Sequence, residues 1–119
     1  MQAEFHIEGL PPTINNYYRH SRRATYKRAE ARVWQAATTS RIRTAWGQRE
    51  AYSGAVKLRI VFEVQTRRKW DMDNRIKPLQ DCLEYAGVIV NDSQVEILHV
   101  ERCRGTRTMT HVFIEDYQQ

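Results

Sequence analysis

From residue 56 to residue 65 apolar side chains occupy every second position, Val56, Leu58, Ile60, Phe62 and Val64 alternating with Lys57, Arg59, Val61, Glu63 and Gln65. Successive side chains of a strand point to opposite faces, so this period predicts a strand with one face on a core. Near the N-terminus Ala3, Phe5 and Ile7 alternate with Glu4, His6 and Glu8 in the same way, until Gly9 and Pro11-Pro12 end the pattern. The period changes over residues 26–46, which contain neither Gly nor Pro. There Ala31, Trp34, Thr38, Ile42 and Ala45 recur at spacings of three and four, predicting an amphipathic helix with Thr25 as its candidate cap. A second helical run, Ile76, Leu79, Leu83 and Ala86, stops at Gly87, a natural helix terminator. Pro78 has no N–H to donate, which places the start of this helix close to Asn74. A turn at Asn91-Asp92-Ser93 precedes two further strands, over residues 95–103 and 109–115, joined around Gly105. The expected order is β-α-β-α-β-β, an α+β fold with a mixed sheet and two helices. Residues 13–23, rich in Asn, Tyr and Arg and without periodicity, read as a loop.

A chain of 119 residues supports one core, so one domain over residues 1–119 is expected. With 41% hydrophobic and 28% charged residues, neither a disordered polyelectrolyte nor a membrane protein fits. Apolar runs such as Val88-Ile89-Val90 fall far short of the roughly 18 residues of a spanning helix. The first residues carry no basic and apolar leader pattern, and Cys82 and Cys103 make no Cys-x-x-Cys motif, so a reducing cytoplasm is the expected location. The net charge is +5, and 15 of the 19 basic residues are arginine. Arginine grips phosphate with a planar fork, which favours nucleic acid as a partner, although a solvated basic coat explains the charge equally well.

Chemistry concentrates in residues 67–77, Arg67-Arg68-Lys69-Trp70-Asp71-Met72-Asp73-Asn74-Arg75-Ile76-Lys77. Asp71 and Asp73 would oppose phosphate binding by their basic neighbours, and a hard divalent cation such as Mg²⁺ resolves that conflict. In an extended segment the two carboxylates, two residues apart, point to the same side, and Asp73 can end that segment as the cap of the second helix. Within a helix they would lie roughly 200° apart. Taken alone, Asp-x-Asp is a common pattern, and a helix cap beside a loop charge accounts for it more simply. Lys77, four residues after Asp73, either steadies a carboxylate and transition-state charge or forms an ordinary ion pair one helical turn away. Asp92 is either a turn former or the third of three carboxylates holding one or two Mg²⁺ ions for phosphodiester hydrolysis. His6, His20, His99 and His111 lack zinc-like spacing. No Gly-rich phosphate loop is present, so no nucleotide cofactor is expected. Asp81 and Glu84 are expected on the solvated face of the second helix. Asn15, Asn16, Tyr17, Tyr18 and Arg19 suit stacking and backbone contacts to DNA, or equally a Tyr-anchored loop covering the core.

Taken together these residues resemble the RusA-type Holliday-junction resolvases of bacteria and prophages. The resemblance runs along nearly the whole chain: a first strand followed by Pro11-Pro12, an Asn-rich loop ending Tyr17-Tyr18-Arg19-His20, the basic-Asp-x-Asp-Asn-x-x-Lys element, the helix ending Ala86-Gly87-Val88, and the turn Asn91-Asp92-Ser93-Gln94-Val95. It implies that Asp71, Asp73 and Asp92 are metal-binding catalytic aspartates and Lys77 the essential lysine. The implied cofactor is Mg²⁺, with Mn²⁺ as a substitute. It further implies a homodimer that cuts four-way DNA junctions by paired symmetric nicks in recombination and repair, the two-fold axis of the dimer matching that of the junction. Arg67, Arg68 and Lys69, with Arg22 and Arg23, would then grip the DNA backbone, joined by Asn74, Asn15, Asn16, Tyr18 and Arg19. The exposed edge of the strand over residues 95–103 is a candidate dimer interface. Two alternatives stand beside this: a non-catalytic basic DNA-binding module, and a nuclease of the same metal chemistry acting on other branched or single-stranded DNA.

Overall fold

The computed structural model describes residues 1–13, 22–66 and 70–118, with residues 22–28 described by their backbone. The chain runs through β1 (Gln2–Glu8), α1 (Arg22–Trp46), β2 (Val56–Val64), a 3₁₀ turn (Asp73–Arg75), α2 (Ile76–Tyr85), a second 3₁₀ turn (Asp92–Gln94), β3 (Val95–Arg104) and β4 (Met109–Asp116). This is the expected α+β order. The strands form one mixed sheet, β1-β4-β2-β3, in which β4 is antiparallel to both β1 and β2 while β3 runs parallel to β2.

The alternation of β2 reappears as burial, with Val56, Leu58, Ile60, Phe62 and Val64 all closed to solvent. Both helices cover this face. α2 contributes Leu79, Cys82, Leu83 and Ala86, and α1 contributes Ala31, Ile42 and Trp46. At the end of α1 the buried residue is Trp46, whereas Ala45 is exposed. α1 also begins at Arg22, upstream of Thr25, so Thr25 does not cap it. Arg22, Arg23 and Ala24 are helix-compatible residues, and nothing among them stops the helix from extending backwards. Among the described residues no helix covers the opposite face of the sheet, which is mostly polar. On it the facing residues His6 and His111 bring their Nδ1 atoms to 2.7 Å, and His111 Nε2 lies 2.9 Å from Glu63 Oε1. His6 and His111 are thus engaged with each other, and His111 with a carboxylate.

Pro78 occupies the first turn of α2, where its missing N–H has no helical acceptor to serve. At the other end Gly87 adopts φ +82°, its N–H donates to Glu84 O, and the Val88 N–H donates to Leu83 O, both at 3.0 Å. This paired closure needs a left-handed residue, which glycine supplies without a Cβ penalty. It turns the chain so that Val88 and Ile89 are buried, with Ile89 bridging to Tyr52, and delivers the following residues to the N-terminal side of β3. No helix among the described residues is long and apolar enough to cross a membrane.

Cys82 is fully buried beneath α1, its thiol directed at Gln35 O, while Cys103 is exposed on β3. Burial pushes the Cys82 thiol up to about 11. Thiolate is the reactive form, so in native protein at neutral pH a chromogenic disulfide reagent is expected to titrate one thiol rapidly, with the second appearing only in denaturant. Rapid titration of both would contradict the packing of α2 against α1.

Candidate functional site

The centre of the site is Lys77, in the first turn of α2. Its Nζ lies 2.8 Å from Asp92 Oδ2 and 2.9 Å from Asp81 Oδ1. Asp81 is one helical turn further along α2, the spacing at which side chains meet on a helix surface. Asp92 comes from the other end of the crossover, as the first residue of the second 3₁₀ turn. Asn91 caps that turn by accepting the Ser93 N–H at 2.8 Å, and Gln94 Oε1 accepts the Asn91 N–H at 3.0 Å. Gln94 Nε2 then donates to Tyr52 O and Gly54 O, which ties the turn to the start of β2. The Asp92 N–H donates to Glu84 Oε1 at 2.6 Å. Asp92 is therefore fixed through its main chain by Glu84 and through its side chain by Lys77.

The expectation that Asp81 and Glu84 form a solvated face of this helix does not hold. The Asp81 side chain is 16% exposed and paired, and Glu84 is the acceptor that seats Asp92. The Lys77–Asp81 spacing is visible in the sequence, whereas the contact of Glu84 with Asp92 arises only from tertiary folding. The hydrogen bonds that the Lys77 ammonium donates to Asp92 and then to Asp81 hold its pKa well above the usual lysine value. The two carboxylates thus favour the charged form of Lys77.

Asp71 and Asp73 lie at the entrance to α2, both exposed. Met72 precedes the first 3₁₀ turn in a helical conformation, φ −71° and ψ −38°, and makes no side-chain cap bond. The segment is thus not extended, and Asp73 is the first residue of the turn and not a β-region cap. The cause is the packing of Trp70 and Met72 against the core, which draws the chain into a tight turn closed by the Arg75 N–H on Met72 O at 3.1 Å. Because the turn has about three residues per revolution, Asp73 falls out of step with Lys77, and Lys77 pairs with Asp81 and Asp92 instead. Among the described residues neither Asp71 nor Asp73 takes part in an ion pair.

A hard divalent cation suits this donor set chemically, since it consists of carboxylates with no thiolate or imidazole among them. Among the described residues no three His, Cys, Asp or Glu side chains stand together as a metal cluster, and Asp92 is engaged by Lys77. Asp71 and Asp73 are the two carboxylates open to an incoming ion. Asn74 follows in the turn, half-buried. Arg67, Arg68, Lys69, Asn15, Asn16, Tyr18 and Arg19 lie outside the described residues, and Arg22 and Arg23 begin α1 with their side chains outside that description.

Residues that sequence patterns did not single out surround Trp70. Its ring meets the buried Phe62 edge-on at 5.3 Å, and the Arg75 and Arg102 guanidiniums lie 5.1 and 5.2 Å from its centroid. Arg75 also donates to Pro11 O, and burial lowers its pKa from the ordinary arginine value.

The family model described as Endodeoxyribonuclease RusA matches residues 8–115. A crossover junction endodeoxyribonuclease RusA of Aquifex aeolicus (strain VF5) is 32% identical over 104 residues, covering 82% of this chain and 78% of that protein. The protein of the same name from Shigella sonnei (strain Ss046) is 36% identical over 85 residues, and that of Enterobacteria phage 82 is 35% identical over 85 residues, each covering 71% of this chain and 70% of the relative. The matched span contains Asp71, Asp73, Lys77 and Asp92 on one crossover, and with identity above 30% across most of its length the chain belongs to the RusA endodeoxyribonuclease family.

Proposed function

We propose that this protein resolves four-way (Holliday) DNA junctions as a divalent-cation-dependent endodeoxyribonuclease, using Mg²⁺ with Mn²⁺ as a substitute. The observation that supports this best is the ion pair of Lys77 with Asp92 at 2.8 Å, which joins α2 to the turn before β3 on a crossover whose entrance carries the exposed Asp71 and Asp73, in a chain similar to relatives named for junction cleavage. Asp71, Asp73 and Asp92 would hold the cation. When bound, it supplies Lewis acidity toward a phosphate oxygen and lowers the pKa of a water. Lys77 presents a permanent charge to the scissile phosphate, and Asp81 secures it independently of Asp92, so the ammonium keeps its place when Asp92 is engaged elsewhere.

Substrate binding falls to the basic surface. Arg67, Arg68 and Lys69 immediately precede the carboxylates, and with Asn74, Arg22, Arg23, Asn15, Asn16, Tyr18 and Arg19 they would contact the DNA backbone, a salt-sensitive interaction. A homodimer places two such sites about a two-fold axis, one for each strand cut. The place of action is the cytoplasm, at the nucleoid.

A labelled four-way junction and a linear duplex of matching sequence, incubated with Mg²⁺ or with EDTA, test this directly. Paired nicks near the branch point are expected with Mg²⁺ alone, and none with Asp73→Asn. Tight junction binding without scission would establish a binding module, and equal cutting of unbranched DNA a nuclease of different preference. Asp81→Asn is expected to lower the cleavage rate on the order of 10- to 100-fold with junction affinity retained, the scale seen when a supporting partner of a site residue is removed. An unchanged rate in single-turnover kinetics would show that Asp92 alone suffices to hold Lys77.

A further inference from the structure

We propose that Trp70, Arg75 and Arg102 form a clamp that holds the Asp71–Asp73 segment in the conformation that receives the cation. The proposal rests on the function given above, but the clamp itself is a matter of geometry. Trp70 immediately precedes Asp71, and its carbonyl, part of the peptide leading into Asp71, accepts a hydrogen bond from Arg102 Nη1 at 3.0 Å. The same guanidinium lies 5.2 Å from the Trp70 ring centroid, so one side chain grips both the backbone and the indole. Arg102 stands opposite Phe62 in the β2–β3 register, and Phe62 is fully buried and meets the indole edge-on. The clamp is thereby anchored in the sheet.

Arg75 closes the segment from its other side. It ends the 3₁₀ turn, and its guanidinium lies 5.1 Å from the Trp70 ring, so residues 70–75 form a loop shut by a cation–π contact. Arg75 Nη1 reaches Pro11 O, joining the loop to the chain that leaves β1. Among the described residues Arg75 Nε is buried without a hydrogen-bond partner, a placement that costs free energy and that the Trp70 contact and the Pro11 bond offset. Between these two grips Asp71 and Asp73 are exposed, and no ion pair among the described residues restrains them. Two neighbouring carboxylates repel each other, and the fixed conformation comes from the residues at either end. Each arginine donates to a carbonyl and sets its guanidinium over the indole, and among the described residues neither is ion-paired to Asp71 or Asp73. Lysine cannot replace Arg102 here, because an ammonium lacks the planar fork that stacks and donates together.

The test uses the full chain with Trp70→Ala, Trp70→Phe, Arg102→Ala and Arg102→Lys, each checked for native circular dichroism. Calorimetric titration of Mn²⁺ into DNA-free protein is expected to show affinity weakened about tenfold or more in Trp70→Ala, Arg102→Ala and Arg102→Lys, and largely restored in Trp70→Phe. The cleavage lost by these variants is expected to return at high cation concentration. A merely structural role would lower thermal stability and leave the cation concentration for half-maximal cleavage unchanged. Hydrogen exchange of the amides of residues 71–75 gives a readout independent of activity. Faster exchange there in Arg102→Ala, with the rest of the chain unaltered, is expected. Unchanged exchange, or unchanged Mn²⁺ affinity in a folded variant, overturns the clamp. Wild-type protein that protects these amides yet neither binds Mn²⁺ nor cuts a junction would overturn the proposed function and, with it, the clamp's assigned purpose, while leaving its geometry in place.

Discussion

Two parallel neighbouring strands cannot be joined by a tight turn, and the crossover that β2 and β3 therefore require carries the candidate chemistry of this protein. Leaving β2, the chain passes Trp70, turns through Asp71 and Asp73, returns along α2 and reaches Asp92 just before β3. One helix serves two purposes on this path. Leu79, Cys82 and Leu83 seal it to the sheet, while Lys77, steadied by Asp81, and Glu84 meet the turn that carries Asp92. Moving α2 would disturb core and site together, so the hydrophobic energy of packing α2 also fixes Lys77 relative to Asp92.

The charges are arranged around that helix at little cost in desolvation. Lys77 is partly exposed and has two carboxylate partners, so it does not require burial of an unpaired ion. The second 3₁₀ turn satisfies its own polar groups through Asn91 and Gln94 and is pinned to the start of β2. Rigidity at Asp92 thus comes from many short polar bonds, whereas rigidity at Asp71 and Asp73 comes from aromatic and guanidinium packing on either side.

Much of the fold was legible because local periodicity and tertiary burial agree. The alternation of β2 is the burial pattern, the three-and-four spacing of α2 is its packed face, and Gly87 terminates the helix by the conformation only glycine adopts freely. The misplaced details share a physical origin in contacts distant along the chain. Met72 leaves the extended region because Trp70 and Met72 find the core, which no property of Asp-x-Asp reveals. Glu84 acquires its role from an amide eight residues later, across a glycine turn. Trp70 looks like one more residue in a charged run until β3 is placed beside β2 and brings Arg102 to it.

The three aspartates are consequently not equivalent, although sequence treats them as a set. Asp71 and Asp73 are exposed and belong to no described ion pair, so replacing either carboxylate by an amide removes a negative charge without opening the core. Asp92 shares Lys77 with Asp81 and is held by Glu84. Removing its charge leaves Asp81 as the only described carboxylate paired with the ammonium and weakens the join between α2 and the turn before β3. The division follows from position. Two carboxylates sit where the chain enters the crossover and are held by their neighbours, and the third sits where it leaves and takes part in holding the crossover together.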